Sequence, residues 1–113
     1  VAAPGRAPGT LRAHYAPAAR VVLVEPEAVA LRAASFLAEG ARVGLLAPSG
    51  ATPVPDGLEV LEPPRDADEF ARELYALLRE ADARHLDVVL VVPPAPEGIG
   101  IAVRDRLRRA AAT

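Results

Sequence analysis

The chain has 113 residues, 51% of them hydrophobic and 25% charged, with a formal net charge of -2 and no cysteine. That is enough chain for one modest core, so a multidomain enzyme, a disulfide-stapled scaffold and a zinc-cysteine module are excluded. The near-neutral charge argues against a domain that grips nucleic acid by its own field, and the longest purely apolar run, Val88 to Val92, falls far short of the ~18 residues of a membrane span.

From Val1 to Ala19 the sequence is rich in Ala, Pro and Gly, with Pro4, Pro8 and Pro17 breaking any helix and no sustained apolar period. This stretch reads as an extended tether, with the globular part spanning 20–113. The chain opens Val-Ala-Ala-Pro-Gly, without Met and without the apolar segment of a signal peptide, as expected of a piece of a longer protein. Val21-Val22-Leu23-Val24 is a short β-branched run ended by Glu25-Pro26, which reads as a buried strand. Pro26 suits a first helical turn, Val29, Ala33, Phe36 and Leu37 recur at helical spacing, and Gly40 supplies a stop. A second strand over 42–47 follows at once, making a βαβ unit of a parallel sheet.

After a loop over 51–57, Leu58-Glu59-Val60-Leu61 reads as a third, shorter strand closed by Pro63-Pro64. Asp66 and Glu69 have capping-box spacing, and the helix they open carries Phe70, Leu74, Leu77, Leu78 and Ala81 on one stripe. The 87–92 segment is the strongest strand, stopped by Pro93-Pro94-Ala95-Pro96. The last helix starts near Glu97 or Gly98 and places Ile99, Val103, Leu107 and Ala110 on one stripe, with Arg104, Arg106, Arg108 and Arg109 largely off it. Four strands alternating with three helices predict a small, Rossmann-like open α/β sheet, mainly parallel, ordered 3-2-1-4, with helices on both faces.

All charged basic side chains are Arg and none is Lys, while Asn, Gln, Met and Trp are absent. Codon bias in a GC-rich genome accounts for this, and avoidance of labile side chains in a thermophile is a compatible second cause. Chemistry-bearing motifs are sparse. Gly98-Ile99-Gly100 before a helix has part of a dinucleotide-loop pattern, but Val103 stands where the third small residue belongs. The predicted strand order puts Glu25 and the 93–97 segment beside a topological switch point, where a crevice is expected, with Glu25, Glu97, Gly98 and Gly100 as its candidate residues. No nucleophile, His or recognisable carboxylate pair accompanies them. His85 falls in the turn after the long helix, where a basic group suits the helix dipole, whereas His14 and Tyr15 lie in the tether, where no core demands them. A metal site is not expected, since His14 and His85 come from unrelated segments and lack a third ligand. The arginines of the last helix read as a solvated face, with a phosphate-contacting patch as the alternative.

Three ordered motifs carry a resemblance. Ala7-Pro8-Gly9-Thr10-Leu11-Arg12-Ala13-His14-Tyr15-Ala16-Pro17 resembles the APGxxxxHYAP linker of the Sua5 family of L-threonylcarbamoyladenylate synthases. The 74–82 segment is similar to the family's LYxxLRxxD helix, and 98–111 to its GxGxAxxDRLxRAA closing segment. The resemblance implies that the chain is the C-terminal Sua5 domain with its interdomain linker, its partner being an N-terminal YrdC-like catalytic domain of the same polypeptide that lies outside this sequence. The implied enzyme condenses L-threonine, bicarbonate and ATP into threonylcarbamoyl-AMP with release of pyrophosphate, in the cytoplasm, for threonylcarbamoyladenosine formation in tRNAs that read ANN codons. On this reading the fragment alone is inactive and holds no catalytic residue or cofactor. ATP and Mg belong to the full-length enzyme, and tRNA is met only through a downstream transferase. Family precedent places the linker over the catalytic cavity, which makes Pro8, Gly9, Arg12, His14, Tyr15 and Pro17 its lid residues. Where many relatives carry a basic or hydroxyl residue before the His, this chain has Ala13, with Arg12 one position earlier. The competing expectations are an autonomous nucleotide- or small-ligand-binding module using the switch-point crevice, and an interaction surface on the helical faces.

Overall fold

The computed structural model describes residues 18–47 and 54–111. Four strands, β1 (Arg20–Leu23), β2 (Val43–Leu46), β3 (Glu59–Val60) and β4 (Val88–Val91), form one open parallel sheet. Three α-helices accompany it: α1 (Val29–Ala38), entered through a 3-10 turn at Pro26–Ala28, then α2 (Ala67–Ala83) and α3 (Ile99–Ala111). No helix among the described residues is long and apolar enough to cross a membrane.

The strand order is β1-β4-β2-β3, which corrects the expected 3-2-1-4. The β4 strand inserts between β1 and β2, with Val21 beside Val89 on one side and Leu45 beside Leu90 on the other. Burial explains the choice. All four residues of β4 and all four of β2 are buried, whereas β1 begins on exposed Arg20 and β3 has only two residues, neither of them buried. The expected order would have left the Val88–Val92 run at the sheet edge with one side open, the place where a long apolar strand invites aggregation. Inside, it is hydrogen-bonded on both sides and covered on both faces, as its near-continuous apolar sequence requires.

Strand alternation then divides the interior into two layers. Val21, Leu46, Val89 and Val91 pack with Phe70, Leu74, Leu77 and Leu78 of α2 and with Val103 and Leu107 of α3. On the other face Val22, Leu45, Val88 and Leu90 meet Val29, Ala33 and Phe36 of α1. Each such Val, Leu or Phe side chain, when fully buried, contributes about 1.5–3 kcal/mol of transfer free energy. On α3 one expectation needs correction. Ile99 is 44% exposed, and the buried stripe is Gly100, Val103, Leu107 and Ala110. The spacings 99–103 and 100–103 both fit a helix face, and the close approach of Gly100 to the preceding loop decides between them.

Local chemistry sets the ends of these elements. The Asp66 carboxylate accepts a hydrogen bond from the Glu69 amide at 2.8 Å, and Glu69 reaches back to the Arg65 amide at 2.6 Å, a capping box displaced by one residue. Both α1 and α2 end in the same left-handed turn. Gly40 (φ 84°) terminates α1, with Ala41 donating to the Phe36 carbonyl; His85 (φ 60°) terminates α2, with Leu86 donating to the Ala81 carbonyl. At the amino edge of the sheet Asp87 accepts from the Arg42 amide at 2.8 Å, while the Arg42 side chain pairs with Glu59 at 2.5 Å, so one residue ties β2 to both its neighbours.

Candidate functional site

The two faces of the sheet are covered by different helices, and this makes a switch point. The connection leaving β1 runs to α1 on one face, and that leaving β4 runs to α3 on the other. Because β1 and β4 are neighbours, their diverging connections open a crevice at the carboxyl edge, as open α/β sheets do. This crevice, about 210 Å³, is lined by Leu23, Val24, Glu25, Pro93, Arg104 and Arg108. Correcting the strand order therefore leaves β1 and β4 adjacent and keeps Glu25 in the crevice between them.

The other expected crevice residues lie elsewhere. Glu97 lines a second, larger cavity of about 310 Å³ between the start of α2 and the loop after β4, whose walls include Pro64, Ala67, Phe70, Pro94 and Ala95, with Asp66 at the helix start. Gly98 sits in a left-handed turn (φ 56°), and Gly100 is buried in the first turn of α3. A Cβ on Gly100 would stand 2.0 Å from the Ala95 carbonyl oxygen. Its lack of a side chain is thus required by helix-loop packing, and neither glycine lines the two cavities.

Electrostatics distinguish the smaller crevice. The Arg104 Nε donates to the Pro94 carbonyl at 2.6 Å, which fixes the guanidinium at the crevice wall. Arg104 and Arg84 are the described arginines that are half-buried; Arg84 pairs with Glu80, whereas Arg104 has no carboxylate partner among the described residues. Arg108, one turn on, lies 3.8 Å from Asp105, whose closer partner is Arg109 at 2.8 Å. Among the described residues no polar or charged side chain is fully buried, and no group of three or more His, Cys, Asp or Glu is placed to hold a metal ion.

At the opposite edge of the sheet the chain is gripped at residues 18 and 19, where it leads into β1. The Asp82 carboxylate accepts from two consecutive amides, Ala18 at 3.2 Å and Ala19 at 2.9 Å, and Ala19 is only 2% exposed within the core. Pro8, Gly9, Arg12, His14, Tyr15 and Pro17 lie outside the described residues. Sequence reasoning took Asp82 only as the end of the 74–82 motif and Arg104 only as one of the last helix's arginines, without the contacts that single them out. Asp82 had a signal, since an acidic residue in the last turn of a helix opposes the helix dipole unless donors from elsewhere compensate it. Arg104 had a weaker one, its place one turn before Arg108 on the same helix face.

Comparison with known proteins places the chain in a family. The family described as the C-terminal domain of threonylcarbamoyl-AMP synthase matches residues 1–112, tether included. The threonylcarbamoyl-AMP synthase of Pyrococcus abyssi is 37% identical over 111 residues, covering 93% of this chain and 32% of that protein. The chain thus spans about a third of that relative's length. Among solved structures, a Pyrococcus abyssi Sua5 variant in which a histidine and the tyrosine next to it are both replaced by alanine superposes with a TM-score of 0.67 at 35% identity, over 85% of this chain and 28% of that one. The C-terminal Sua5 domain of a hypothetical Sua5 protein from Pyrococcus horikoshii gives a TM-score of 0.66 at 26% identity, over 82% of this chain and 93% of that domain.

Proposed function

The chain belongs to the family of threonylcarbamoyl-AMP synthase C-terminal domains, and we propose that within such an enzyme it anchors a lid over a catalytic site on a separate N-terminal YrdC-like domain. The observation that carries this reading is the grip of Asp82 on the amides of Ala18 and Ala19. It fixes the chain immediately after His14-Tyr15-Ala16-Pro17, the one adjacent His-Tyr pair in the sequence. The replacement of such a pair in the Pyrococcus abyssi variant supports assigning it a working role.

The reaction proposed for the whole enzyme joins L-threonine, bicarbonate and ATP. The threonine nitrogen forms a carbamate with the bicarbonate carbon, with loss of water; the carbamate oxygen then takes the AMP group of ATP, and pyrophosphate leaves. ATP and its Mg are assigned to the catalytic domain, in keeping with the family resemblance. The product is a mixed anhydride that water destroys, so a segment that closes the cavity and excludes water protects it. Tyr15 brings an apolar ring with a hydroxyl donor, and His14 a second polar contact. Transfer to tRNA falls to a downstream transferase in the cytoplasm, which accords with a domain of net charge -2.

Two measurements test the reading. The isolated chain is expected to release no pyrophosphate from ATP in the presence of threonine and bicarbonate. In the full-length parent, His14→Ala with Tyr15→Ala is expected to lower threonylcarbamoyl-AMP formation at least tenfold, and unchanged turnover would refute the lid role. An autonomous nucleotide module finds less support, because Gly100 is needed for packing against Ala95.

A further inference from the structure

The switch-point crevice brings opposite charges to one cavity without letting them meet. Glu25 and Arg104 both line it, yet no ion pair within 4.0 Å joins them. Glu25 precedes the 3-10 turn at Pro26–Ala28, but its side chain makes no capping hydrogen bond. Arg104 is half-buried and, among the described residues, is held by the Pro94 carbonyl, and Arg108 follows one turn later on the same helix face, both Arg108 and Glu25 being exposed. Like charges at that spacing destabilise a helix, and a half-buried cation is costly to leave without an anion. At about 210 Å³ the cavity is smaller than the roughly 300–1,000 Å³ that receives a drug-sized ligand. A ligand of few atoms fits it.

We propose that this crevice is a binding site for a small α-amino acid, its carboxylate on Arg104 and Arg108 and its ammonium group on Glu25. A guanidinium donates two parallel hydrogen bonds to a carboxylate, and the fixed Nε contact orients the remaining N–H groups of Arg104 for that task. The ammonium group then bridges the charge gap that the fold leaves between α3 and the end of β1. Leu23, Val24 and Pro93 supply apolar wall for the side chain. The site is distinct from the lid function and does not depend on it.

Calorimetric titration of the full 113-residue chain with L-threonine and with glycine tests the proposal, with propionate, inorganic phosphate and AMP as comparisons. Saturable binding of both amino acids is expected. Arg104→Gln and Arg108→Gln should each weaken it at least tenfold, and Arg108, being exposed, can be replaced without threatening the fold. Glu25→Gln should weaken the amino acids while leaving propionate unaffected. Absence of amino-acid binding to the folded chain overturns the site. So does affinity unchanged in Arg108→Gln, or binding of phosphate or AMP in place of amino acids.

Discussion

His85 and Gly40 occupy the same left-handed position after two different helices, and only one of them is suited to it. Gly40 bears that conformation without penalty, whereas a side chain there costs roughly 1–2 kcal/mol, against the ~0.5–1 kcal/mol that glycine loses through its freer unfolded state. His85 is exposed, so replacing it forfeits no core packing. His85→Gly is therefore expected to stabilise the domain by about 0.5 kcal/mol, a rise of about 2–4 °C in Tm by calorimetry. Gly40→Ala should lower stability by about 1 kcal/mol through the backbone alone, because a Cβ at that position meets nothing within 4 Å. Gly100 presents the other kind of constraint. Its missing Cβ would press on the Ala95 carbonyl, a backbone atom that cannot rotate aside. Gly100→Ala should cost about 2 kcal/mol or more in chemical denaturation, as overpacking does. An unchanged midpoint would show that the loop after β4 yields freely.

At the scale of elements, the helices were legible because their signals are local. The Asp66–Glu69 spacing and the Phe70-to-Ala81 stripe are contained within one segment, and the structure repeats them with the box shifted to the Arg65 amide. Asp66→Ala is expected to lower stability by about 1 kcal/mol, read from the urea midpoint, since the Glu69 amide loses its acceptor. Strand order was less legible, because β1 and β2 both follow simple βαβ logic whether or not another strand later enters between them. The deciding signal was present in relative burial: Val88 to Val92 is the chain's longest apolar run, and such a run belongs inside a sheet. The switch-point crevice survived the correction because β1 and β4 are neighbours in either order. Its arginines did not stand out, since the half-burial of Arg104 depends on a contact with Pro94, ten residues away in sequence, that no periodicity announces.

At the scale of the whole molecule, the two ends of the sheet hold different features. The carboxyl edge holds the two cavities described above, and the amino edge holds residues 18 and 19, where the chain enters β1. Asp82 makes that junction by bonding Ala18 and Ala19 from the far end of α2, a link across more than sixty residues of chain. A hydrogen bond to a charged group contributes about 1.5–3 kcal/mol when sheltered and less where solvent reaches it, as at Ala18. Asp82→Ala should thus fray the entry to β1 before it unfolds the core, because Val21 and Val22 remain packed on both faces. Limited trypsin digestion reads this directly. Cleavage after exposed Arg20 is expected to accelerate several-fold in the variant, while cleavage after exposed Arg65, at the start of α2, keeps its rate as an internal control. Equal acceleration at both sites would mean that the whole domain has loosened, and no acceleration at Arg20 would mean that the carboxylate does not hold the tether in place.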